Sequence, residues 1–199
     1  TVALGDGMTF VVGNILRQEG TSATETDLSN RLSSGALTAT EAVSELVTKA
    51  GATTSVATLA YEFFTGKIPG QAGVDYLVSP TGPNANNLNS AYYQSFNLEN
   101  RYINFAVNLG KVGEGAASFA ATYGSATLED VTSAAYARIF GTAPTAAKVH
   151  DLLDTTFSFC GQTITRAQYF AYYGQDGING QGTKAAMVGW LMAEAAKAD

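Results

Sequence analysis

The sequence predicts an all-α fold, with about ten short helices in a compact bundle built from helix-pair repeats. Three features lead there. Apolar residues recur at three- and four-residue spacing in most segments between glycines. The runs Thr38-Ala39-Thr40-Glu41 and Thr127-Leu128-Glu129-Asp130 open helices, because a threonine hydroxyl and an acidic side chain three residues on satisfy each other's free backbone N–H groups. Glycines then close them. Only the brief Phe157–Ile164 stretch alternates as a strand would.

Taken in order, Met8 to Gln18 is apolar at helical spacing and ends at Gly20. Thr24 to Leu32 is a second helix, stopped near Gly35. The Thr38 capping box opens a third, ending at Gly51. Thr54 to Thr65 follows, with Val56, Leu59, Ala60, Phe63 and Phe64 apolar, and Gly66 ends it. Gly73 to Val78 is a short helix after Pro69, and 81–87 is a turn-rich loop. Asn87 or Asn89 is placed to cap the helix that carries Tyr92, Tyr93 and Phe96. A helix from about Leu98 ends at Gly110. Glu114 to Tyr123, Leu128 to Ile139, Thr145 to Phe157 and Thr165 to Tyr173 complete the set before a loop at 174–182. Thr183 to Lys197 closes the chain, with Ala186, Met187, Trp190, Leu191 and Ala195 near one face.

One pattern occurs twice. YEFFTGKIPGQAGVDYL at 61–77 matches YARIFGTAPTAAKVHDL at 136–152 at a constant offset, so the repeats lie near 58–78 and 133–153. Each copy is a helix end, a glycine stop, a proline turn and a second helix. Asn14 to Ala23 is a degenerate third copy. Helix pairs of this kind bury their faces against one another, which is an architectural role.

Composition excludes several function classes. Charged residues are 14% of the 199, the net charge is −6, and the eleven basic residues are scattered. Nucleic acids and anionic bilayers call for basic patches, so neither is a partner. No apolar run is long enough to span a bilayer, so membrane insertion is not expected. A single cysteine, Cys160, forbids an internal disulfide; beside Phe157 and Phe159 it reads as buried and inert. Scarce cysteine and low lysine resemble bacterial exported proteins. His150 is the one histidine, and no HExxH occurs, so zinc catalysis has no support. No nucleophile elbow or phosphate loop is present. The 174–182 loop has Asp176 and Asn179 but not the spacing of a calcium loop.

The most unusual stretch is Asn84 to Asn108, with eight asparagines and five aromatics in twenty-five residues. On a helix, Asn97, Asn100, Arg101, Asn104 and Asn108 form one polar stripe. Leu98, Tyr102, Phe105 and Leu109 flank one side of it, and Phe96, Ile103 and Val107 the other. Asparagine costs roughly 0.6 kcal/mol relative to alanine in a helix, so such a stripe needs a reason. Amides that cap neighbouring helices and amides that line a polar groove are both open readings.

AYEFFTGKIPGQAGVDYLV, NNLNSAYYQSF, LENRYINFAVNL and AASFAATYG, in this order and followed by YARIFG and TKAAMVGWLM, resemble the N-terminal anchoring domain of the Caulobacter-type S-layer protein. The block through NNLNSAYYQSF and ENRYINFAVNL is the specific part; the repeat alone is common in secreted bacterial proteins. The resemblance implies a non-catalytic module, outside the cell at the S-layer, that binds the O-polysaccharide of lipopolysaccharide after type I export. It implies no cofactor in this domain, with calcium belonging to other domains of the parent. The start, TVALGDG, reads as the tail of an upstream domain or linker at 1–7, with a single helical anchoring domain over 8–199. An exported S-layer-associated metalloprotease carrying the module at its C-terminus fits that arrangement, and docking such a protease on the S-layer protein is the alternative function.

Sugar recognition needs flat apolar faces for C–H surfaces and planar amides for paired hydroxyls. On the resembling block, Tyr92, Tyr93, Gln94, Asn97, Asn100, Arg101, Tyr102 and Asn104 supply those types and form the candidate ligand-binding set. Adjacent Tyr92 and Tyr93 cannot share a helix face, so one of them belongs to the core. For each of the eight, a core or capping role competes with ligand contact.

Overall fold

A computed structural model describes residues 23–79 and 87–198. The expected helix at 8–18, the third repeat copy, the 1–7 tail and most of the 81–87 loop lie outside the described residues. The described chain is all-α apart from one hairpin. It divides into two compact units, one drawn from the residues up to Leu59 with Pro69–Gln94, the other from Ala60–Ile68 with the residues from Ser95 on.

In the first unit, α1 (Ala23–Ser33) and α2 (Ala39–Ala50) pack Leu28, Leu37, Ala42 and Leu46 into a small core, with Leu32 and Ala50 against it. The Thr38 capping box forms as expected: the hydroxyl accepts from Glu41 N–H and the Glu41 carboxylate accepts from Thr38 N–H at 2.8 Å. The Arg31 guanidinium donates twice to Glu45, at 2.9 and 2.6 Å, and ties the two helices together.

Gly51 does not end α2. Its backbone stays right-handed, at φ −55° and ψ −40°, and the chain continues through a π-helical turn, Gly51–Ser55, into α3 (Val56–Thr65). Glycine halts a helix only when the next residues leave helical space, and here they do not. Gly66, at φ +71°, is a true stop.

After α4 (Gln71–Val78), the buried amides of Asn87 and Asn89 face back along the chain. Asn89 Nδ2 donates to the Val78 carbonyl at 2.7 Å and Asn87 Nδ2 to the Ser79 carbonyl. They therefore satisfy the end of α4. The short α5 (Ala91–Gln94) takes its side-chain partner from Ser90, whose hydroxyl accepts from Tyr93 N–H at 3.4 Å.

The second unit is built on its last helix. Its elements are α6 (Leu98–Val107), a π-helical turn Asn108–Val112, α7 (Ala116–Tyr123), α8 (Leu128–Phe140), α9 (Ala146–Asp154), β1 (Thr156–Phe159), β2 (Gln162–Thr165), α10 (Arg166–Gly174) and α11 (Gln181–Ala198). Every residue of α11 from Gly182 to Ala193 is buried. A helix buried on all sides is a central one, not an amphipathic lid, and α6, α10 and α8 are its main neighbours. Small residues make this possible. A Cβ on Gly189 would lie 2.4 Å from the Tyr102 carbonyl oxygen of α6, and one on Gly182 would lie 2.5 Å from the Gly174 carbonyl oxygen of α10.

Phe63, Phe64, Phe119 and Tyr123 form an aromatic cluster in the same unit, with Phe63 stacked on Tyr123 at 5.6 Å and Phe64 edge-on to Phe119 at 4.9 Å. Gly66 and Gly141 have φ values of +71° and +74°, and each is followed by a proline and a short helix. Thr145 caps the second copy through Lys148 N–H, whereas Gly70 at the matching position has no side-chain cap.

The helix expected to run to Phe157 stops at Asp154, and the antiparallel hairpin takes over, pairing Phe157 with Ile164 and Phe159 with Gln162. Its two-residue turn is Cys160-Gly161, with φ +50° and +78°. A tight turn of this kind needs positive φ at both central positions, and it projects from the sheet. Cys160 is therefore exposed, not buried. Its flanking phenylalanines point to one face of the strand, and the turn residue does not follow them.

Candidate functional site

The asparagine helix is α6, and its amides are used within the second unit. Asn97 is the N-cap, its Oδ1 accepting from Asn100 N–H at 2.9 Å. Asn104 Nδ2 donates to the Asn100 carbonyl one turn back at 2.7 Å. The Tyr173 hydroxyl donates to Asn100 Oδ1 at 3.0 Å. The Tyr169 hydroxyl lies 3.1 Å from the same oxygen and 3.0 Å from Glu99 Oε1, sharing its one proton between them. Glu99 Oε2 accepts from Lys197 Nζ at 3.3 Å, which also binds Glu194 at 2.8 Å. The polar face of α6 is thus the joint to α10 and to the end of α11.

Burial sets the electrostatics. Desolvation pushes the Tyr169 phenol up, and the Tyr173 hydroxyl and Glu99 charge push it further. Tyr173 is raised mainly by burial. Tyr102 is 1% exposed and burial pushes it up to about 12. Burial lowers Arg101 and Arg166. Arg166 stacks 4.4 Å over Trp190 and donates to the Leu152 carbonyl at 3.0 Å.

The eight expected ligand residues fall in both units. In the first, Tyr92 is 65% exposed, while Tyr93 beside it is fully buried, their rings edge-on at 67° and 5.4 Å. Tyr93 is the core member of that pair. The side chain of Gln94 lies outside the described residues. In the second unit Asn97 is exposed, Asn100, Arg101 and Asn104 are half-buried, and Tyr102 is buried.

Two lysines and a glutamine that sequence reading passed over bind the second unit together. The buried Lys184 Nζ donates to the Tyr123 and Gly124 carbonyls at 2.9 and 3.2 Å, capping α7. Lys111 Nζ donates to the Gly174 carbonyl at 2.5 Å, capping α10. Gln181 Nε2 donates to the Gly110 and Ala116 carbonyls. A lysine flanked by Thr183 and Ala185 within an apolar helix was the available signal for Lys184.

The 174–182 loop is a capping device. Asp176 accepts from Gly182 N–H at 2.6 Å and from Thr183 N–H at 3.2 Å, at the start of α11, and Asn179 Oδ1 accepts from Leu128 N–H at 2.8 Å, at the start of α8. Among the described residues no group of three or more His, Cys, Asp or Glu is placed to hold a metal ion. His150 pairs with Asp154 at 3.2 Å on an exposed helix face. No helix among the described residues is long and apolar enough to cross a membrane.

The second unit is all-α, wound on one buried helix, and Lys184, Lys111 and Gln181 are spent on helix ends. The chain belongs to the family described as the RsaA N-terminal domain, whose model matches residues 53–199. That is an S-layer family, which places the chain in an S-layer-related role at the cell surface. No curated protein matches the chain.

Proposed function

We propose that this domain is a non-catalytic anchor that holds its parent protein at the outer face of a bacterial cell by binding the O-polysaccharide of lipopolysaccharide. Membership of the S-layer family is the observation that carries this reading, since a lattice at the cell surface needs a tether. The low charge content also supports it, because an uncharged glycan calls for hydroxyls, amides and rings more than for ion pairs. From the ligand set predicted by sequence, solvent reaches Tyr92, Asn97, Asn100, Arg101 and Asn104, while Tyr93 and Tyr102 serve the core.

The test is sedimentation of the chain with vesicles of smooth or rough lipopolysaccharide. Binding to smooth and not rough vesicles is the expected outcome. Binding that ignores O-chains but requires S-layer protein would instead assign the domain to lattice docking, the role expected of an exported S-layer-associated metalloprotease that carries this module.

A further inference from the structure

We propose that the glycan-contacting surface is the aromatic face of the hairpin and α10, with Phe159 and Tyr172 as stacking platforms for uncharged sugar units. The inference rests on the anchoring function above and moves its contact residues off the asparagine stripe.

The stripe's own amides are engaged: Asn97 caps a helix, Asn104 binds backbone and Asn100 receives tyrosine hydroxyls. The hairpin and α10 differ. Of the twenty residues from Thr156 to Gln175, Arg166 alone is charged, and it is occupied by Trp190 and the Leu152 carbonyl. Six of the twenty are aromatic, and all but the buried Tyr169 and Phe170 reach solvent. The segment itself thus offers a charged partner little to pair with, and the nearest carboxylate, Glu99, is already bound by Tyr169 and Lys197.

What the face offers is rings and neutral hydrogen-bonding groups. Phe157 and Phe159 share one side of β1, and each stands edge-on to Tyr169 at 5.2 Å. Tyr172 stands nearly perpendicular to Phe159 at 5.0 Å and to Tyr173 at 5.3 Å, yet it is 59% exposed. It is held by two neighbours while its surface stays open, so little rotamer freedom is lost when a ligand covers it. Gln162, the cross-strand partner of Phe159, is exposed and lies on the same side of the hairpin. The register therefore puts an amide side chain and a ring on one face, the pairing that a sugar's hydroxyls and its C–H face require. Beneath them, the bonds of Tyr169 and Tyr173 to α6 fix the platform.

The experiment compares the intact chain with Tyr172→Ala, Phe159→Ala, Gln162→Ala and Tyr172→Trp in vesicle sedimentation, with thermal melts to check folding. Val112→Ser, at a surface position 77% exposed in the same unit, is the control. At least tenfold weaker binding to smooth vesicles for the two aromatic-to-alanine variants, with Tyr172→Trp and Val112→Ser retaining it, is the expected result. If the unmodified chain binds smooth and rough vesicles alike, the anchoring function fails and this inference with it. If it binds smooth vesicles selectively and the alanine variants bind equally well, this inference alone is overturned. It is also overturned if Tyr172→Ala abolishes self-association of the chain and leaves vesicle binding unchanged, because the face then serves a second copy.

Discussion

Gly189 lies directly against the backbone of Tyr102. A Cβ at 189 would sit 2.4 Å from the Tyr102 carbonyl oxygen and 2.8 Å from the Ala106 Cβ, distances that real Cβ atoms do not reach. The obstruction is helix backbone, which cannot swing aside. Gly189→Ala should therefore push α6 from α11 and destabilise the second unit by about 1–3 kcal/mol or more, the usual cost of overpacking. Urea unfolding of the variant checks this; an unchanged midpoint would mean that the helices are not in such close contact.

Lys184 supports the same core by another route. It is 1% exposed and its ammonium donates to the two carbonyls at the end of α7. Lys184→Met keeps the length of the side chain and removes the charged donor, leaving the Tyr123 carbonyl with the Ala126 N–H alone. The expected loss is about 1.5–3 kcal/mol in urea unfolding, the usual worth of a hydrogen bond from a charged group. Lys184→Arg should recover only part of it, since the larger guanidinium must fit the same buried space.

Stability should fall at high pH through Tyr102. Burial raises its phenol from the ordinary 10.0 to about 12. The unfolded chain then ionises before the folded one, so the stabilisation is complete below about pH 10 and is lost as pH rises towards 12. The slope is at most about 1.4 kcal/mol per pH unit for this one group. Unfolding free energies measured in that window should fall less steeply for Tyr102→Phe than for the unmodified chain. Parallel curves would assign the loss to other groups.

Cys160 should react with a thiol reagent in the native state. It is the one cysteine in the sequence and it occupies an exposed hairpin turn. One equivalent of an aromatic disulfide reagent should be consumed without denaturant, at a rate close to that of the chain in urea. A thiol released only on unfolding would contradict the turn.

Features set by neighbours in the chain were legible in the sequence. The capping boxes at Thr38 and Thr127 form, Gly66 and Gly141 stop their helices in the left-handed region, and the brief alternation near Phe157 becomes a hairpin. Gly51 shows the boundary of such reading. It has the residue type of a stop, yet it continues as a π-helical turn, because glycine permits the left-handed conformation without requiring it. Cys160 is exposed for a related reason: its apolar neighbours lie on a strand face, and the turn geometry takes the thiol away from it.

The sequence by itself determined the all-α class, the order of most described helices and the presence of one helix whose amides demand partners. Only the tertiary structure decided who those partners are. Asn100 is bound by Tyr169 and Tyr173, about seventy positions away, and Lys184 by carbonyls about sixty positions away. It also decided that α11 is central, a role that its moderate apolar content did not announce. Helix formation is governed by hydrogen bonds and side chains within a few residues, so its signals are local. Burial and polar satisfaction are governed by what the rest of the chain brings alongside, and no periodicity records that.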